Sequence, residues 1–343
     1  MGQTLHLHVG LPKCGSSTLQ AVLKANRSRL LEQGFDYVRV SDRGFGNLTP
    51  YMKSLSGGGG NVAFQHFSSE VPLDTARENL FAAIDASCAP NIILSAEGAS
   101  HQRRINEYRE LTDRFESVKL HIVFRPWVEW VVSHYAQGVK TGKYRSSLET
   151  FLRSDWFAHH VVSNLRFAEH VDYWSERLGG ENVHVHFVGA RFASVVDQFL
   201  NAVGVALTEA ERTVPRRNQS PSAFVLTALV AAQTTNRRAF LKAQKRIVKV
   251  ATNLDPRPDA SLLTRDIEAM ITPFFEGHAK AFLAQQTAIA AEDLWPDYSD
   301  RHSKATTYDD MVATNEFGRV MRKLDRRGIV VDQAAGEGEL FFA

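Results

Sequence analysis

The sequence predicts an α/β fold, a three-layer, mostly parallel sheet flanked by helices, with a helical C-terminal extension. Two observations carry this. Short strand-like runs alternate with longer helical segments through residue 203, the pattern of a parallel sheet covered on both faces. From Ser222 onward the chain is mostly helical. A chain of 343 residues suits one large α/β domain, or such a domain with a helical addition.

Taken in order, residues 4–9 alternate as a buried strand does, and residues 10–15 form a loop. From Ser16 the spacing turns helical, with Leu19, Val22, Leu23 and Leu30 on one face. A short strand is expected over 35–40. Residues 41–62 read as a surface loop ending in the four glycines 57–60, which cannot hold one conformation cheaply. A floppy connection and a lid near an active site both fit that loop. Residues 73–87 read as a helix, 91–95 as a buried strand, 102–115 as a helix and 119–124 as a second buried strand. Pro126 suits the first turn of a helix running to about Lys140. A longer helix is expected over 155–178, a strand over 182–188, and a helix from there to about Val203. The division is placed at residue 220: an α/β core over 1–220 and a helical part over 221–343, packed on it.

Composition excludes little but is informative. Hydrophobic residues make up 44% and charged residues 23%, an ordinary globular balance. A formal net charge of +2 gives no argument for nucleic acid as a partner. Two cysteines, Cys14 and Cys88, make no disulfide framework and read as free thiols of a reducing compartment. No stretch approaches the ~18 apolar residues of a membrane span, and no secretory signal pattern opens the sequence. The expected location is cytoplasmic, with a peripheral contact to the inner face of a membrane as an option.

The segment His8-Val-Gly-Leu-Pro-Lys-Cys-Gly-Ser-Ser-Thr-Leu19 places a glycine-bearing loop between a strand and a helix. Such a turn aims backbone N–H groups at an anion, and the helix dipole adds positive potential there. Gly10 and Gly15 have the spacing of the nucleotide-triphosphate loop, and Ser17 fills its hydroxyl position. Ser16 stands where that loop carries its lysine; the one lysine here is Lys13, in the loop crown. A Walker lysine reaches the β and γ phosphates beside a magnesium-binding hydroxyl. Lys13 suits instead a phosphate bearing one transferable group.

Pro12-Lys13-Cys14-Gly15-Ser16-Ser17 resembles the 5′-phosphosulfate loop of sulfotransferases that use 3′-phosphoadenosine 5′-phosphosulfate. The resemblance implies Lys13 on the bridging oxygen and backbone contacts from Cys14, Gly15, Ser16, Ser17 and Thr18 to the donor. Arg125 ends a strand, where open α/β sheets bind ligands. Arg125, Ser133 and Tyr135 are similar in spacing to the family's 3′-phosphate site, although Pro126 is one position early and Trp130 replaces a second arginine. Ser133 lies with Glu129, Gln137 and Lys140 opposite an apolar stripe of Val128, Val131, Val132, Tyr135 and Val139. The segment Arg216-Arg217-Asn218 resembles an adenosine or 3′-phosphate contact of bacterial members; a basic interhelical turn fits equally.

Glu97, just past a buried strand, is the expected base, as in glycan sulfotransferases; capping the next helix or pairing with Arg103 is its structural alternative. His101, four residues later, is the other candidate base. No metal is required. His6/His8 and His184/His186 alternate along strands and read as histidines with local partners rather than a zinc site. The run Arg237, Arg238, Lys242, Lys245, Arg246, Lys249 offers a contact to an acidic glycan or a membrane surface, with a solvated helix face as the plain alternative.

The resemblance covers about residues 1–220. It implies transfer of a sulfuryl group to a glycan, a lipid-linked sugar or a small alcohol, leaving adenosine 3′,5′-bisphosphate. A P-loop kinase or NTPase, and a nucleotide- or glycan-binding protein without activity, are the alternatives.

Overall fold

The computed structural model describes residues 2–40, 61–62, 71–97, 105–189, 191–214, 221–232 and 237–329. They form two compact units: residues 1–125 with 167–217, and residues 126–166 with 218–343. The sequence reading divides the chain once, at 220. Here the segment 126–166 groups with the C-terminal helices instead.

The first unit opens with β1 (Thr4–Gly10), α1 (Ser16–Ala25), α2 (Arg27–Glu32) and β2 (Phe35–Tyr37). β2 is shorter than the expected 35–40. A two-residue pair, β3 (Asn61–Val62) and β4 (Val71–Pro72), precedes α3 (Leu73–Asp85). β5 (Asn91–Glu97), α4 (Ile105–Thr112) and β6 (Ser117–Phe124) follow. The second unit then contributes α5 (Trp127–Lys140) and α6 (Leu148–Leu152). The chain returns to the first unit with α7 (Phe167–Leu178), β7 (Val183–Phe187) and α8 (Val195–Val203).

The expected α/β fold is present. Five strands run parallel in the order β2-β5-β1-β6-β7. Alternation along each strand sorts the two faces. Leu5, Leu7 and Val9 of β1 are buried on one face, and His6 and His8 on the other. Phe199 of α8 meets His8 and His121 edge-on, so α8 covers the histidine face. Phe167 of α7 stacks on Phe124, whose side chain leaves β6 on the opposite face. Helix, sheet and helix are the three layers. Leu19, Val22 and Leu23 of α1 join Val196, Phe199 and Leu200 of α8 in one apolar core.

The expected long helix over 155–178 is broken. Residues 157–161 form a wide turn, 162–165 a tight one, and Arg166 leaves helical geometry at φ −80°, ψ 79°. Only from Phe167 does regular helix resume.

The second unit is helical. α9 (Ala223–Ala231), α10 (Arg237–Thr252), α11 (Arg265–Ile271), α12 (Glu276–Gln285) and α13 (Asn315–Asp325) are its main later elements. All nine residues of α9 are buried, as a helix apolar on every side must be. Trp127 of α5 stacks on Phe275 at 5.4 Å and donates its indole N–H to the Leu165 carbonyl at 2.9 Å. These contacts fix 126–166 to its own unit. No described helix is long and apolar enough to cross a membrane.

Candidate functional site

β1 ends at Gly10, and five residues later Gly15 opens α1. In this loop Lys13 has φ 73° and Gly15 has φ 88°. Glycine takes such backbone freely; an L-residue does so at a cost of roughly 1–2 kcal/mol. Lys13 is the one non-glycine with positive φ among the described residues. Strain of this kind collects at ligand clamps. The Gly15 carbonyl accepts the N–H groups of Thr18 (3.0 Å) and Leu19 (3.2 Å), which starts the helix. The helix's own first N–H groups find no acceptor within it, and its dipole is positive there. Gly15, Ser17 and Thr18 are exposed, Lys13 is half-buried, and Cys14 is buried. Ser16 is also buried, and among the described residues its Oγ has no hydrogen-bond partner.

Three parallel strands end at one edge of the sheet. Gly10 is in register with Glu97, the last residue of β5, and with Val123 of β6. Arg125 follows two residues later and donates Nη1–H to the Lys13 carbonyl at 3.2 Å. The guanidinium therefore braces the strained residue of the loop, a contact that spacing alone did not show. Leu11 N–H also reaches the Val123 carbonyl, at 3.4 Å.

Ser133 belongs to the second unit, half-buried on α5 beside the similarly half-buried Glu129 and Gln137. Tyr135 is buried and donates to the Ser146 carbonyl at 2.8 Å, so its hydroxyl is structural. His101, Arg103, Arg216, Arg217 and Asn218 lie outside the described residues, as do glycines 57–60. Neither Cys14 nor Cys88 is in a disulfide.

Under the loop, the sheet carries a row of histidines. His6 Nδ1 is 3.3 Å from His121 Nε2, and His121 Nδ1 is 3.1 Å from His186 Nε2. The far nitrogen of His6 is 3.3 Å from Asn91 Oδ1. His8 Nδ1 is 2.9 Å from Ser95 Oγ, which also accepts from Gln20 Nε2 at 2.9 Å. The strand histidines thus have local partners. His121, Ser95 and Gln20 were not singled out by sequence. Only the register that sets His121 beside both His8 and His184 reveals them.

Burial, aided by neighbouring histidines, lowers His6 and His186 to about 4 and His8 to about 3, with His121 also well below the usual range. All are neutral near pH 7. The folded state then binds fewer protons than the unfolded one below the ordinary value of 6.5. Stability is present above pH ~6.5 and is lost as pH falls from there toward about 4. We expect urea midpoints to drop over that window, each histidine adding up to about 1.4 kcal/mol per pH unit. A flat profile there would contradict the buried row.

No protein-family model matches the chain, and no curated protein matches it. Among solved structures it is similar to a sulfotransferase from Alicyclobacillus acidocaldarius: 15% identity, TM-score 0.39, over 71% of this chain and 96% of that one. It is also similar to the sulfotransferase domain of the olefin synthase of Synechococcus PCC 7002: 11% identity, TM-score 0.33, over 72% of this chain and 94% of that one.

Proposed function

We propose that this chain is a sulfotransferase that moves a sulfuryl group from 3′-phosphoadenosine 5′-phosphosulfate to a hydroxyl of a glycan or another alcohol. One observation carries the reading. The only cation of the loop, Lys13, is held in a left-handed conformation at its crown, while position 16, where a triphosphate-binding loop needs lysine, is a buried serine. This supports a donor with one transferable group on its 5′-phosphate.

In this reading the first-turn N–H groups of α1 hold the 5′-phosphate. Arg125 lies at the loop and serves the 3′-phosphate. The acceptor oxygen attacks sulfur while the bond from sulfur to the bridging oxygen breaks. The electron pair stays on the departing bisphosphate, beside Lys13. Glu97 takes the acceptor proton. Positioning and fixed charge supply the acceleration, with no covalent enzyme intermediate.

Turnover tests this against its rivals. Incubation with the phosphosulfate donor and a panel of glycans and small alcohols should release adenosine 3′,5′-bisphosphate in an acceptor-dependent way. Bisphosphate binding without turnover on any acceptor would favour a binding protein. Hydrolysis of Mg-ATP would favour an NTPase.

The second unit offers a contact for an anionic surface. Lys245, Arg246 and Lys249 of α10, Lys323 of α13 and Arg327 just past it line one cavity of about 410 Å³, and all five are exposed. We read it as the membrane contact. Each cation near an anionic lipid surface adds about 1 kcal/mol. Changing Lys245, Lys249 and Lys323 to Glu should therefore weaken sedimentation with phosphatidylserine vesicles by about a hundredfold or more. Equal binding by wild type and variant would remove this role.

A further inference from the structure

We infer that His8 is a positioning residue for the anion loop: from the sheet interior it makes the Ser16 hydroxyl a hydrogen-bond donor to the anion the loop holds. The inference deepens the donor site proposed above and rests on it.

Two buried polar atoms lack partners among the described residues at this spot: His8 Nε2 and Ser16 Oγ. His8 is 0% and Ser16 2% exposed, so bulk water does not satisfy them. Both face the same side of Gly10. A β-carbon built on Gly10 would lie 2.8 Å from Ser16 Oγ and 3.5 Å from His8 Nε2. They make no direct hydrogen bond, and one intervening water or a turn of the Ser16 side chain would join them.

The proposed network runs in one direction. Gln20 Nε2 donates to Ser95 Oγ at 2.9 Å. In the proposed tautomer the Ser95 proton goes to His8 Nδ1, 2.9 Å away. Burial keeps the His8 ring neutral, so a ring that accepts at Nδ1 carries its proton on Nε2. That N–H is the unpartnered atom turned toward Ser16. In the proposed network Ser16 Oγ accepts it through that water or after the side chain turns, and the Ser16 proton is left to point away from the sheet. The order is Gln20, Ser95, His8, Ser16, anion, each group donating to the next. A buried hydroxyl with no acceptor is costly. Donor binding that turns the Ser16 hydroxyl out toward the loop gives it that acceptor, an oxygen of the 5′-phosphate.

The same geometry explains a constraint at Gly10. A methyl group there would press on Ser16 Oγ at 2.8 Å and turn the hydroxyl off this line.

A double-mutant cycle on the full chain tests the inference, with adenosine 3′,5′-bisphosphate affinity read by calorimetry. The amide of His8→Asn reaches only where Nδ1 stands, and that of His8→Gln reaches the Nε2 position. We expect Ser16→Ala and His8→Asn each to weaken binding about tenfold or more, as loss of one hydrogen bond to a charged group does. His8→Gln should restore most of it. The double variant His8→Asn/Ser16→Ala should be no weaker than Ser16→Ala alone, because His8 acts through Ser16. Multiplying losses, or no loss in His8→Asn, would overturn the inference.

A second readout needs no nucleotide. Nitrogen NMR of histidine-labelled protein, with His8 assigned by its absence in His8→Gln, should show the Nε2–H tautomer. The Nδ1–H tautomer overturns the relay whatever the loop binds. A wild type that shows Nε2–H yet binds no bisphosphate supports the relay's geometry and sinks the donor assignment instead.

Discussion

Lys13→Ala is expected to lower kcat/KM for sulfuryl transfer by about 10²–10³, the loss seen when one preorganised charge at a developing anion is removed. The loss should fall on kcat more than on KM. Negative charge on the bridging oxygen grows only as the bond to sulfur breaks, so Lys13 interacts more strongly with the transition state than with the bound donor. Lys13→Gly separates this role from the fold. Lys13 sits at φ 73°, and glycine relieves the strain of an L-residue there, roughly 1–2 kcal/mol. That gain is offset in part by the greater freedom of glycine in the unfolded chain. The glycine variant should therefore melt at or above the wild-type temperature and still lose activity as Lys13→Ala does. A melting temperature several degrees lower would mean that Lys13 holds the loop together rather than serving the reaction.

Glu97→Gln should cost about 10²–10⁴ in kcat, the range of a general base in proton transfer. Glutamine keeps the size and polarity of the side chain and loses only its basicity. Backbone register sets Glu97 opposite Gly10 at the end of β5, so the change lies one strand from the loop. Bisphosphate affinity should stay within about twofold, since no part of the donor's binding is assigned to Glu97. Tenfold weaker bisphosphate binding at unchanged kcat would assign Glu97 to the donor site and pass the base role to His101.

The strand, loop and helix at the head of the chain were legible because their parts are local. The strand, loop and helix from Thr4 to Ala25 lie in one continuous segment, with Gly10, Lys13, Gly15 and Ser16 read at fixed offsets. That Glu97 and Arg125 would share an edge with the loop followed from strand ends alone, because parallel strands put their carboxyl ends on one side. What spacing does not carry is register and rotation. The Arg125 hydrogen bond to the Lys13 carbonyl depends on both. So does the histidine row, in which His121 becomes central only when β6 is known to lie between β1 and β7. The break at Arg166 was hidden for another reason. Residues 155–178 keep a helical apolar pattern while the backbone passes through wide and tight turns with similar side-chain spacing. The placement of 126–166 was hidden too, since α5 carries Trp127, Val128, Trp130 and Val131 all buried, and periodicity does not say which layer will bury them.

The central claim concerns the donor, and calorimetry tests it most directly. Wild-type protein is titrated with adenosine 3′,5′-bisphosphate in the presence of a magnesium chelator, and separately with Mg-ATP. A loop with Lys13 in its crown and Ser16 in place of the Walker lysine should bind the bisphosphate tightly without magnesium and bind Mg-ATP weakly or not at all. Preference for Mg-ATP, or bisphosphate binding that requires magnesium, would contradict the account.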